Sequence, residues 1–134
     1  MNHWLLKTEP STYSFGDLTK AGRATWDGVS NPVALRHLGA MRKGDQAFIY
    51  HTGDEKAIVG IAKVVGEPFP DPKLGDPKRL VVDLEAVRPV PKPIPLSAVK
   101  ADRRFADFAL VRISRLSVMP VSSEQWKLLE SLSR

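Results

Sequence analysis

Proline constrains this chain more than any other residue type. Of 11 prolines, those at 68, 70, 72 and 77 and those at 89, 91, 93 and 95 form two runs, and a residue without an N–H cannot complete the hydrogen-bond ladder inside a sheet. Both runs are therefore expected to be stiff loops between strands, with the regular elements before, between and after them.

Between the runs, Leu80, Val82, Leu84 and Ala86 alternate with Asp83 and Glu85, the pattern of a strand with one buried and one wet face. Ahead of them, Trp4 to Lys7 reads as a first strand stopped at Glu9-Pro10, and Ser14 with Asp17 as the start of a short helix ended by Gly22. Ala34, Leu35, Leu38 and Met41 recur at spacings of three and four, which predicts a helix over 32–41 with Gly44 as its stop. Residues 45–52 and 57–65 then read as a β-hairpin, in which Gly60 marks a bulge or a close backbone approach. After the second run come a short helix over 96–101, a strand over 114–118, and a last helix behind the capping box Ser122–Gln125, carrying Trp126, Leu129 and Leu132 on one side. Strands that do not alternate regularly with helices predict an α+β fold, a small barrel rather than a parallel sheet, in one domain over 1–134.

Composition narrows the chemistry. The chain has no cysteine, which excludes disulfides, thiolate nucleophiles, cysteine–zinc sites and iron–sulfur clusters. No stretch approaches the roughly 20 apolar residues of a membrane span, and the amino terminus lacks a signal-peptide core, so a cytosolic protein with no membrane contact is expected. The net charge of +5 is compatible with a polyanionic partner and small for a protein that grips duplex DNA. His3, His37 and His51 have no metal-ligand spacing, Ser14, Asp27 and His51 lack the context of a catalytic triad, and neither phosphate-loop motif occurs. No catalytic residue, metal or cofactor is expected.

The segment Trp26-Asp27-Gly28-Val29-Ser30-Asn31-Pro32 places a large aromatic beside a glycine turn that opens into a helix. Asn31 suits the N-cap and Pro32 the first helical position, so the free N–H groups of the helix are expected to face whatever Trp26 covers. Trp26 is then either a stacking wall for a flat, polar ligand or a core residue beside a turn. Other polar and aromatic groups stand at the ends of elements: Lys7-Thr8-Glu9-Pro10, Tyr50-His51, and residues 112–117. In the strand Phe48-Ile49-Tyr50-His51, only one of Tyr50 and His51 needs to point inward. Arg112 and Arg115 fit surface ion pairs as well as a site.

The strings WLLKTEP, WDGVSNPVALRHL, GDQAFIYHTGDEKAIVGIAKVV, PDP, IPL and SRLSVMPV, in this order over nearly the whole chain, resemble the EVE domain family, a branch of the PUA-like superfamily related to YTH-type RNA readers. The resemblance implies a PUA-like β-pseudobarrel flanked by short helices, and a pocket for a modified nucleobase, particularly a C5-modified cytosine in DNA. It makes Trp26 the stacking wall, Gly28, Val29 and Asn31 the adjacent loop, and Lys7 and Thr8 the floor. Tyr50 and His51 fall at an aromatic-polar strand end, and Ser114, Arg115 and Ser117 in a late polar strand. Ser30 departs from the pattern, since many members carry arginine there. The function so implied is a non-catalytic, monomeric reader of nucleic acid carrying a modified base. The alternatives are an RNA-binding module acting on tRNA or rRNA, and a PUA-like nuclease or hydrolase.

Overall fold

A computed structural model describes residues 1–134. Seven strands form one mixed sheet: β1 (His3–Thr8), β2 (Arg23–Trp26), β3 (Gln46–His51), β4 (Ala57–Val64), β5 (Phe69–Pro70), β6 (Leu80–Pro95) and β7 (Val118–Val121). Five helices accompany it, α1 (Phe15–Ala21), α2 (Pro32–Gly39), α3 (Leu96–Ala101), α4 (Ala109–Arg112) and α5 (Ser123–Leu132), with a 3-10 turn at Arg103–Phe105. The architecture is α+β, and no helix is long and apolar enough to cross a membrane.

The strand order is β2-β6-β4-β3-β1-β7, with β5 paired to β6 beside this path. Only β1 and β3 run parallel, with His3 opposite Gln46 and Thr8 opposite His51. Residues 47–51 of β3 are all buried, because β3 is covered on both faces and so reads as a continuous apolar run rather than an alternation. The end strands β2 and β7 do not pair with each other; α2 packs against both β7 and β6 and so spans the gap between them. The curled sheet is a pseudobarrel with a seam.

The second proline run overturns the loop expectation, because Pro89, Pro91, Pro93 and Pro95 lie within the 16-residue strand β6. Their spacing of two puts every missing N–H on the same edge of the strand. That edge has no strand beside it there, since β2 pairs only with residues 82–85. On the other edge the β4 ladder passes from Gly60–Pro89 to Ile58–Ile94, leaving residues 90–93 opposite Val59 alone in a large bulge. In the first run, Pro70 belongs to the two-residue strand β5. The strand expected over 114–118 is also corrected: 113–116 form a turn, closed by Leu116 N–H donating to Ile113 C=O at 3.1 Å, and β7 begins at Val118. Neither proline run nor any periodicity announced β2, which is only four residues long.

Both capping boxes are present: Ser14 Oγ accepts from Asp17 N–H while Asp17 accepts from Ser14 N–H, and Ser122 and Gln125 do the same for α5. Gly22 closes α1 at φ 76°, a left-handed conformation that favours glycine. Gly60 stands beside a register shift in the ladder, and the close neighbour is a side chain rather than backbone: a methyl group there would stand 2.5 Å from three ring carbons of the buried Phe15. Gly60→Ala is therefore expected to force the ring out of place and cost about 1–3 kcal/mol. Chemical denaturation would show a lower midpoint, and Phe15→Leu in the same chain should restore part of the loss.

One buried carboxylate joins the amino-terminal strand to the rest. Asp45, 4% exposed, accepts hydrogen bonds from the N–H groups of Asn2 (3.0 Å) and Arg42 (3.0 Å) and from the Trp4 indole Nε1–H (2.9 Å). Burial pushes its pKa up, but the three donors and the nearby amino terminus outweigh it and hold the carboxyl below its ordinary value. A carboxyl lowered on folding contributes stability above its unfolded pKa of about 3.9 and loses it as pH falls through the lower folded value. Asp45→Asn is expected to cost about 1–3 kcal/mol near pH 7, and the wild-type advantage should shrink as a stability series is carried below pH 4.

Candidate functional site

A pocket of about 480 Å³ opens on the seam, and its walls come from the two ends of the sheet. One wall is β2 and the turn after it, with Ala24, Thr25, Trp26, Asp27, Gly28 and Val29. The other is the end of β1 with Lys7 and Thr8, the segment after it with Thr12 and Tyr13, and Ser117 just ahead of β7. The volume falls in the range of small-ligand sites, roughly 300–1,000 Å³.

Trp26 is 7% exposed and still lines the cavity. Tyr13 meets it edge-on, with centroids 6.2 Å apart and planes at 84°, so one pocket corner is an aromatic pair in a favoured geometry. Tyr13 is held there as the residue before the α1 N-cap Ser14, and its carbonyl accepts from Thr8 Oγ1 at 2.6 Å. Burial pushes the Tyr13 phenol pKa up, with Asp17 adding to the effect, so the hydroxyl is a neutral donor near pH 7. Gly28 supplies the turn at φ 79°, where a side chain would be strained.

Lys7 carries the positive charge of the pocket. Its Nζ donates to Ser114 C=O at 2.9 Å and stands 5.6 Å over the Tyr50 ring. Burial lowers its pKa. With one of three N–H groups engaged by Ser114, the ammonium retains donors for an acceptor in the cavity. Tyr50 is thus placed behind Lys7 rather than in the lining, and Ser114 ties its turn to Lys7 through the backbone.

The structure therefore gathers Lys7, Thr8, Trp26, Gly28, Val29 and Ser117 around one cavity and leaves Asn31, Tyr50, His51, Ser114 and Arg115 outside its lining. The helix-start expectation is corrected. Asn31 Oδ1 takes the N–H groups of Val33 (2.9 Å) and Ala34 (3.1 Å), so these donors serve the cap and not a ligand beside Trp26. Arg115 is exposed in the turn before β7 and has no carboxylate partner, whereas Arg112 stands 3.9 Å from Asp107. Ser30 is exposed and also outside the lining.

His51 points inward, as does Tyr50, because β3 is buried on both faces. Its Nε2 accepts the N–H of Phe15 at 2.9 Å, which fixes the proton on Nδ1, where it is donated to Glu55 at 3.0 Å. Both ring nitrogens are engaged in tying α1 to the β3–β4 hairpin. Thr12, Tyr13, Ala24 and Thr25 are lining residues that the sequence did not single out, and Asp27 lines the pocket as part of the Trp26 turn. Tyr13 carried a signal, an aromatic directly before a capping box; Ala24 and Thr25 depended on β2, and Thr12 carried no signal. No group of three or more His, Asp or Glu side chains is placed to hold a metal.

The chain is an α+β domain whose sheet is open at a seam, with an aromatic-cornered pocket there. The EVE domain model matches residues 2–132, and the chain belongs to that family. Thymocyte nuclear protein 1 of Gallus gallus is 34% identical over 164 residues, covering 97% of this chain and 68% of that protein. Rpa0253 from Rhodopseudomonas palustris, solved by NMR, superposes with a TM-score of 0.94 at 44% identity over 99% of this chain and 93% of that one. Human THYN1, solved in complex with DNA containing 5-methylcytosine, superposes with a TM-score of 0.90 at 31% identity, covering 100% and 98% of the two chains.

The hydrogen bonds of His51 give a direct expectation. His51→Ala should lower stability by about 1–3 kcal/mol, since the Phe15 N–H is left unpaired in a buried place. Ligand affinity measured at a temperature where the variant is folded should stay near wild type; a selective loss of affinity would put His51 in the site instead.

Proposed function

We propose that this protein reads a modified base in nucleic acid without changing it, and that the base enters the seam pocket beside Trp26. The observation that carries the reading is the whole-chain likeness to human THYN1, which was solved with 5-methylcytosine DNA. A C5-modified cytosine in DNA is accordingly the first candidate. The pocket's chemistry supports a flat, polar guest: Trp26 and Tyr13 give an apolar corner, while Lys7 and the Tyr13 hydroxyl supply donors for base-edge acceptors. Its titratable side chains are Lys7, Tyr13 and Asp27, with no second carboxylate beside Asp27 to share acid and base roles, which favours binding over hydrolysis.

A base can reach such a pocket from a single strand or by flipping out of a duplex, the latter costing a few kcal/mol. Stacking on one aromatic returns about 1–3 kcal/mol, so affinity is expected to be modest and higher for a single strand. The protein is taken to act as a monomer in the cytosol.

Binding to oligonucleotides bearing cytosine, 5-methylcytosine or larger C5 groups, in DNA and in RNA, tests the proposal. The expected result is a preference for one modified base with the oligonucleotide recovered intact. Equal binding of all bases, or cleavage that disappears in a pocket variant, would overturn it, and a preference seen only in RNA would move the partner to the RNA alternative. Trp26→Ala should weaken binding of the preferred base by about 1–3 kcal/mol, roughly 5- to 150-fold, with Trp26→Phe keeping part of it. Because Trp26 is buried, alanine should also cost about 3–5 kcal/mol of stability, so affinity is to be read on protein shown to be folded by circular dichroism.

A further inference from the structure

The turn that carries Trp26 contributes no cation of its own, and Arg23 of β2 is paired with Glu85. Residues 26–31 are Trp, Asp, Gly, Val, Ser and Asn, and Asp27 places a negative charge in the lining. A nucleic-acid strand that delivers a base to this pocket must bring its phosphates past that wall. One cation reaches it from elsewhere in the chain: Arg79 donates from Nε to the carbonyl of Val29 at 3.2 Å.

The placement of Arg79 is built rather than incidental. It ends the loop between β5 and β6, and that loop is closed by its own backbone, with Asp71 N–H donating to Arg79 C=O at 2.8 Å and Arg79 N–H to Asp76 C=O at 3.1 Å. Asp71 is buried and caps the turn through Lys73 N–H at 2.9 Å. The Arg79 side chain is half-buried and, unlike Arg23, Arg42, Arg88, Arg104 and Arg112, has no carboxylate within salt-bridge distance. With Nε spent on Val29, the two terminal nitrogens form a planar fork with no protein partner, which is the geometry that suits a phosphodiester.

We infer that Arg79 is a phosphate clamp on the Trp26 side of the pocket, holding the backbone of the strand whose base is being read. Lys7 lines the opposite wall, so the two cations divide the work: one grips the backbone and the other meets the base. This inference rests on the nucleic-acid reading proposed above.

The test is the salt dependence of binding by the full chain to short single-stranded DNA, with and without 5-methylcytosine. Each phosphate contact on a single strand contributes about 0.7 to the slope of log affinity against log salt. Arg79→Gln should make the slope shallower by about that amount and weaken both oligonucleotides by a similar factor, roughly threefold to tenfold at low salt, leaving their ratio unchanged. Arg79→Lys should restore the slope while recovering only part of the affinity, because an ammonium does not make the two parallel bonds. An unchanged slope in Arg79→Gln, or a loss confined to the modified oligonucleotide, would overturn the clamp and make Arg79 a prop for the Val29 turn. If wild type shows no preference for the modified base, the reader proposal falls, while the slope at residue 79 still decides whether a phosphate is held there.

Discussion

The end strands β2 and β7 never hydrogen-bond to each other, and the shape of the molecule follows from that gap. A sheet of this size curls under its own twist but does not have to close. Here closure is blocked locally. β2 has four residues and gives way at Gly28 to a turn, and β7 contains Pro120, which offers no N–H to a further partner. Helix α2 covers part of the opening, leaving a recess whose walls belong to opposite ends of the sheet. The pocket is the uncovered part of the seam.

Much of the scaffold was readable from local chemistry. Ser14 with Asp17 and Ser122 with Gln125 fix helix starts through bonds that involve only neighbours, and the alternation around Leu84 needs only one wet face. Reading failed where the outcome depended on what lies alongside. Prolines 89 to 95 looked incompatible with a sheet, but a strand with one unoccupied edge tolerates them when all the missing donors face outward. β2 exists because Arg23 to Trp26 find β6, and no four-residue pattern announces that. At the site, Trp26, Gly28 and Val29 came from a recognisable turn, and Lys7 and Thr8 from the end of a strand. His51 and Asn31 have the chemistry of binding residues and spend it inside the protein, on Phe15 and Glu55 in one case and on a helix cap in the other. Sequence shows what a side chain can donate or accept; it does not show that the offer has been taken.

The two readings of Trp26, core residue and ligand wall, are not alternatives. An indole is large enough to bury most of its surface against Tyr13 and the sheet while leaving one region to form part of a cavity. A wall packed in this way is already in place, so in the reader proposed above little side-chain entropy would be lost on stacking. The groups that fill the core at this corner also shape the recess.

The attachment of β2 has a further consequence. Its ladder, its Thr25–Asp83 hydrogen bond at 2.6 Å and its Arg23–Glu85 ion pair all run to β6, and no strand supports its other edge. The Trp26 wall is thus a cantilever mounted on one beam. The angle of that wall is set by the twist of β6 where β2 pairs with it, at residues 82–85. The side of the recess that carries Trp26 is thus placed through β6, and the side that carries Lys7 through β1.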